Sequence, residues 1–287
     1  MLNIFITGGL GQLGRALVEA SRNTPNHYIA LSSSDLDITN KACIEEQIVR
    51  HRADVVINCA AYTDVERAED EPAEAMRINR DGVATLAEVC QQHNVKLIHI
   101  STDYVFGGDT SRSTPYTTTD CTAPINSYGR SKAEGEMAAL SANGIVIRTS
   151  WLYAPWGKNF CRTILRIAQQ NAEISVVDDQ RGTPTSALSL ARAITHLVDS
   201  GTYASLSGIL HFTDGGEGTW WEFASEIVRL ANIDCEVKPC TSAERKTKAQ
   251  RPRYSVLDKS ATLKIEGITI TPWQEALKEC IEQINKI

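Results

Sequence analysis

Gly8-Gly9-Leu10-Gly11-Gln12-Leu13-Gly14 follows the apolar run Asn3–Thr7 and opens a helical pattern over Gly14–Arg22. A strand that turns into a helix through glycines spaced GxxGxxG restricts the chain to few architectures. Gly8 permits the tight turn, Gly11 lets backbone approach a pyrophosphate, and Gly14 lets the helix pack closely on the strand. Free N–H groups at the helix start then face the phosphates with a favourable dipole. Glycines also serve ordinary turns, so the signal gains its force from the βαβ setting around it.

That setting is present. Apolar runs at Tyr28–Leu31, Val55–Cys59, Leu97–Ser101 and Ile145–Thr149 alternate with helical patterns at Ala42–His51, Ala73–His93 and Ser127–Ser141. Continuous apolar strands between helices predict a parallel sheet covered on both faces, an α/β doubly wound, Rossmann-type fold with right-handed crossovers. After about Trp151 the rhythm loosens. Ser175–Val177 and Ile209–Thr213 read as strands, and Trp220–Ala231 and Pro272–Lys286 as amphipathic helices. The basic segment Ala243–Ser255 reads as a loop, either a solvated surface or a flap over an anionic ligand. Residues 1–150 are expected to form an NAD(P)-binding domain. Residues 151–287 are expected to form a smaller, interleaved C-terminal substrate-binding domain, some segments of which return to the first.

Composition narrows the partners. With 42% hydrophobic and 22% charged residues the 287-residue chain is not broadly disordered. A net charge of -6 repels nucleic acid at long range, so anions must be held locally by backbone amides or a few cations. Eight scattered cysteines without a CxxC pair argue against zinc and for buried free thiols in a reduced cytoplasm. With neither a basic n-region nor a cleavage site visible, a signal peptide is not expected, and no apolar run approaches the roughly 18 residues that span a bilayer.

The second strand ends in Leu31-Ser32-Ser33-Ser34, where an NAD-selective site places an acid on the ribose 2′-OH. Ser32 in that place allows a 2′-phosphate, so NADPH is the expected cofactor, with NADH still accepted. Arg15 is a candidate cation, or else a plain helix-surface residue. Asp37 and Ile38 could hold the adenine, or Asp37 could cap the helix starting near Thr39.

Tyr128 and Lys132 form a YxxxK on a predicted helix, and the i, i+4 spacing puts both on one face. An ammonium beside a phenol stabilises the phenolate, which makes the tyrosine a usable proton donor to a developing alkoxide. YxxxK is common by chance; its place after a strand ending in Ser101-Thr102-Asp103 gives it weight. Thr102 lies where strand ends line the crevice, as a donor to a carbonyl oxygen or as a strand-end cap.

Glycine loop, Asn58-Cys59-Ala60-Ala61, Ser101-Thr102-Asp103 and YxxxK, in that order, resemble the extended short-chain dehydrogenase/reductase superfamily. Its catalytic Ser/Thr, Tyr and Lys match Thr102, Tyr128 and Lys132. NCAAYTDVERA (58–68), STDYVF (101–106), PINSYGRSK (124–132), RTSWLY (148–153) and DQRGTPT (179–185) narrow the resemblance to the dTDP-4-dehydrorhamnose reductases. The match runs from Asn3 to about Ser255, with RPxxSxLD at Arg251–Asp258.

The resemblance implies reduction of the 4-keto group of dTDP-4-dehydro-L-rhamnose, the last step of dTDP-rhamnose formation. It implies cofactor contacts at Gly11, Gln12, Leu13, Ser32, Asp37, Ile38, Ala61, Tyr62, Thr63, Tyr128 and Lys132, the last holding the nicotinamide ribose, and sugar contacts at Thr102 and Asp103. Trp151 is implied at the sugar nucleotide, against a reading as a core aromatic. Arg251 is the residue expected to pair with its diphosphate, against a salt bridge that pins the loop. Positions for a metal at a dimer contact do not match, so none is expected, and monomer and homodimer both stay open. The alternatives are a related sugar-nucleotide reductase or epimerase, or a non-catalytic NADP-binding regulatory subunit.

Overall fold

A computed structural model describes residues 1–286. Five strands come from the first half: β1 (Asn3–Thr7), β2 (His27–Leu31), β3 (Val55–Asn58), β4 (Lys96–Thr102) and β5 (Ile145–Thr149). A sixth, Gly208–His211, returns from the second half to pair with β5. The order is Gly208–His211, β5, β4, β3, β1, β2, and every neighbouring pair is parallel. The order reverses between β1 and β3, and a ligand crevice opens beyond the strand ends at such a point.

Alternation along each strand supplies two cores. Ile4, Ile6, Val55, Ile57, Ile98, Ile145 and Ile147 face α1 (Gln12–Ala20) and α8 (Ala187–Asp199). Phe5, Val56, Leu97 and Val146 face α2 (Lys41–His51) and α5 (Val83–Gln92). Burial on both faces explains why these strands read as unbroken apolar runs. A third core joins α7 (Phe160–Ala168), α9 (Trp220–Leu230) and α10 (Trp273–Ile284) to the parallel pair Glu173–Val177 and Glu236–Cys240.

Three expectations are adjusted. The stretch read as one helix over Ala73–His93 is α4 (Pro72–Met76), a wide π-type turn Arg77–Gly82, and α5. That turn brings Asn79 inward, where it brackets the backbone of Tyr62 with bonds of 2.8 and 2.9 Å. Helices α7 and α8 add to the expected elements: α7 is amphipathic and buries Cys161, Ile164 and Ala168, and α8 buries nine residues while leaving Arg192 exposed. Of the cysteines, Cys90, Cys161 and Cys280 are buried, whereas Cys121 is exposed. The segment Ala243–Ser255 carries neither helix nor extended strand.

Candidate active site

A cavity of about 960 Å³ runs along the carboxyl ends of the strands and takes walls from both halves of the chain. Gly8, Gly11, Gln12, Leu13 and Gly14 form one end. Gly8 has φ +63°, and a Cβ on Gly14 would stand 2.5 Å from the Gly8 carbonyl oxygen, so neither position tolerates a side chain without movement. No side chain caps the start of α1, so its leading N–H groups are free to meet an anion.

Ser32, Asp37, Ile38, Ala61 and Thr63 line the same cavity. Asp37 does not cap α2. Asn40 does, while Asp37 accepts from the Thr39 N–H at 2.9 Å and hydroxyl at 2.8 Å. Ser32 is not free of carboxylate either: Asp35 folds back to accept its hydroxyl at 2.6 Å and its N–H at 2.9 Å. These bonds hold the Asp35 carboxyl below its ordinary range. Arg15 lies over the Trp156 ring at 4.7 Å rather than on the lining. Arg77, on the wide turn, does line the cavity; Glu74 holds its guanidinium in two bonds of 2.8 and 2.7 Å, and it donates to the Thr39 hydroxyl at 2.9 Å. Lys158 adds a further cation to the lining. Tyr62 turns away, its hydroxyl donating to Glu71 at 3.0 Å.

At the middle of the cavity α6 (Ser127–Ser141) presents Tyr128 and Lys132. Asn126 caps this helix, accepting from the Gly129 N–H at 2.7 Å. Gly129 lets it come close, since a Cβ there would sit 2.1 Å from the Tyr104 carbonyl oxygen. Its rotation is set by Glu136, which is 3% exposed and takes Arg148 of β5 in two bonds of 2.7 and 2.8 Å. Ser101 of β4 donates to the same carboxylate at 2.5 Å. Losing one partner of such a buried pair costs about 3–5 kcal/mol.

Burial pushes the Tyr128 phenol up to about 12, against the pull of the Thr102 hydroxyl beside it, so the group is a protonated donor at neutral pH. Lys132 donates to the Ile100 carbonyl at 2.6 Å, and burial brings its ammonium down to about 8. Thr102 donates to Asp103 at 3.1 Å and Ser255 donates to its other oxygen at 2.6 Å. Burial nonetheless raises the Asp103 carboxyl to about 7.

The far wall comes from the second half. Trp151, at φ +47°, stacks on Trp220 with ring centres 3.6 Å apart, and both line the cavity. Trp156 and Asn159 donate to the backbone and side chain of Gln12 at 3.1 and 2.9 Å, docking this wall on the glycine loop. Arg251 is not on the lining: it pairs with Glu66 at 2.6 Å, so the structure shows the loop-pinning salt bridge. Among the described residues no group of three or more His, Cys, Asp or Glu gathers as a metal site requires, and no helix is long and apolar enough to cross a membrane.

The family described as the RmlD substrate binding domain matches residues 2–286. The chain belongs to this family. The RmlD-family chain is 38% identical to the dTDP-4-keto-6-deoxy-D-glucose reductase of Streptomyces niveus over 284 residues, 98% of this chain and 96% of that protein. It is 39% identical to the dTDP-4-dehydrorhamnose reductase of Mycolicibacterium smegmatis over 285 residues, 98% of this chain and 85% of the relative. The solved dTDP-4-dehydrorhamnose reductase of Bacillus anthracis, in complex with NADP, superposes with a TM-score of 0.91 at 36% identity, covering 98% of this chain and 99% of that one.

For an RmlD-family member, the sequence reading passed over Arg77, Thr149, Lys158 and Trp220 on the lining. Thr149 left a signal, as the end of the run Ile145–Thr149 inside RTSWLY, and so did Trp220. The latter opens the apolar pair Trp220-Trp221 behind a Thr219/Glu222 capping box.

Proposed function

We propose that the chain reduces the 4-keto group of dTDP-4-dehydro-L-rhamnose to give dTDP-L-rhamnose, with NADPH as donor and NADH accepted. The observation that carries this reading is one cavity with a dinucleotide cradle at one end and Tyr128, Lys132 and Thr102 at its centre. The residues present fit the cofactor. The α1 start is uncapped, Gly14 lets that helix close onto the backbone of Gly8 and Gly9, and the buried Thr149 hydroxyl on the lining has no partner of its own. Arg77 stands near Asp37 and Thr39, where its guanidinium can meet a ribose 2′-phosphate by exchanging a Glu74 bond for it, and Lys158 stands beside the glycine loop to meet the pyrophosphate.

Bound NADPH supplies a hydride to the sugar carbon. Tyr128 gives its proton to the sugar oxygen as negative charge grows there, a role worth about 10²–10⁴-fold in rate. Thr102 donates a hydrogen bond to the same oxygen, turning from Asp103 to do so. The Lys132 ammonium, fixed by the Ile100 carbonyl, stabilises the phenolate that Tyr128 becomes. Trp151 and Trp220 offer a flat apolar face to the sugar nucleotide. Arg251 reaches a diphosphate only by exchanging Glu66 for it.

Residues 151–287 mainly build the substrate side while returning one strand to the sheet, and the reaction belongs in the cytoplasm, where the eight cysteines stay free. The name of the Streptomyces relative favours a second reading, in which the substrate is the 6-deoxy-D-glucose-configured 4-keto sugar. Steady-state assays with NADPH and each dTDP-4-keto sugar decide the matter. The reading expects the higher kcat/KM on dTDP-4-dehydro-L-rhamnose. Turnover of neither, together with a stoichiometric co-purifying partner, would replace it with a regulatory role.

A further inference from the structure

His99 on β4 lies outside the cavity lining and is fully buried between Asn58 on β3 and Lys132 on α6. Its Nδ1 is 3.1 Å from Asn58 Nδ2, and its Nε2 is 3.4 Å from Lys132 Nζ. A neutral imidazole has one N–H and one acceptor nitrogen, so its two neighbours cannot both donate.

The backbone settles which one yields. The Ala60 N–H, which cannot turn into an acceptor, points at both Asn58 Oδ1 and Thr7 Oγ1, each at 3.2 Å. The Asn58 oxygen must therefore face Ala60, and the Thr7 hydroxyl, already accepting, donates to that oxygen at 2.5 Å. This leaves the Asn58 NH₂ facing His99, so Nδ1 accepts and the ring proton sits on Nε2, against Lys132.

We propose that Thr7 and Asn58 lock His99 in its Nε2–H form, making it a positioning residue that turns an N–H toward Lys132 and weakens the lysine's hold on its third proton. The proposal rests on the reading of Lys132 as partner of Tyr128 in the reductase.

The other groups facing Lys132 leave this role open to His99. Glu136, on its own helix, has its charge engaged by Arg148 and Ser101. Cys59, at the end of β3, is pushed up to about 12 by burial and stays a neutral thiol. Tyr128 is a neutral phenol. The Ile100 carbonyl takes one lysine proton and favours the ammonium. Burial and Lys132 together hold His99 well below the ordinary imidazole range, so it faces the lysine uncharged.

Two measurements test this on the full-length chain. Long-range ¹H–¹⁵N spectra of histidine-labelled protein, with the His99 signal identified by its loss in H99Q, should show the Nε2–H form in the wild type and the Nδ1–H form in N58D, whose carboxylate can only accept. At saturating NADPH, the alkaline limb of kcat/KM for the sugar nucleotide should move up by about one pH unit in N58D and in H99Q. The second variant adds no buried charge and covers failure of the first to fold. A merely structural His99 would lower turnover or stability and leave the limb in place, which overturns the proposal. The spectra need no turnover: Nε2–H supports the lock even in a chain that reduces no sugar, and Nδ1–H in the wild type overturns it even in an active one.

Discussion

The two ends of the cavity are made of different material. The end proposed for the dinucleotide is largely backbone: glycines at 8, 11 and 14, an uncapped helix start, and small residues such as Ala61. The sugar end is built from side chains that meet across the chain. Asp103 is bonded to Ser255, 152 residues away, and Trp151 is stacked on Trp220. Backbone-made sites depend on what is absent, so one added methyl spoils them. Side-chain-made sites depend on what is present, and each group can be removed with the fold intact.

The sharpest way to separate the two ends is Tyr128→Phe. It should lower kcat by about 10²-fold or more while the NADPH Kd measured by fluorescence titration stays put. Near-normal turnover would take Tyr128 out of the chemistry. Gly14→Val should do the reverse. Its side chain meets the Gly8 carbonyl, so NADPH Kd should rise at least about tenfold, with about 1–3 kcal/mol of stability lost to overpacking, while kcat at saturating NADPH holds within a few-fold.

A smaller effect concerns pH. The folded chain keeps a proton on Asp103 up to about pH 7, which an ordinary carboxyl in the unfolded chain releases near 4. Folding therefore binds a proton in that window, and stability falls as pH rises from about 4 to 7, with the loss complete above it. Thermal unfolding of Asp103→Asn should show a flatter Tm over the same range, and an unchanged slope would mean that Asp103 ionises freely. Least of all, Arg251→Ala should raise the KM for the sugar nucleotide a few-fold with kcat and NADPH Kd unchanged, and stability should fall by no more than about 1 kcal/mol because the Glu66 pair is partly exposed. Unchanged KM would leave Arg251 only its clasp on Glu66.

The same contrast decides what could be read in advance. The glycine loop, Tyr128 with Lys132, and Thr102 with Asp103 are legible because each lies within one turn or at one strand end. So are the strands, whose burial on two faces leaves continuous apolar runs. Arg77 was not legible, because it reaches the cavity from a wide turn inside an otherwise helical pattern. Nor was the return of Asp35 onto Ser32, since it takes a turn three residues long to bring that carboxylate back to the strand end. For Arg251 a diphosphate and a loop-pinning salt bridge both stood open, and its partner, Glu66, is supplied only by the fold.

The central claim is that one hydride passes from NADPH to the sugar's C4 and the oxidised cofactor then leaves. Reaction of dTDP-4-dehydro-L-rhamnose with NADPH carrying deuterium at the transferred position of C4 tests it most directly. The account predicts one NADP⁺ released per sugar and deuterium on C4 of dTDP-L-rhamnose. Product without deuterium, or epimerised sugar formed with no net loss of NADPH, would contradict it.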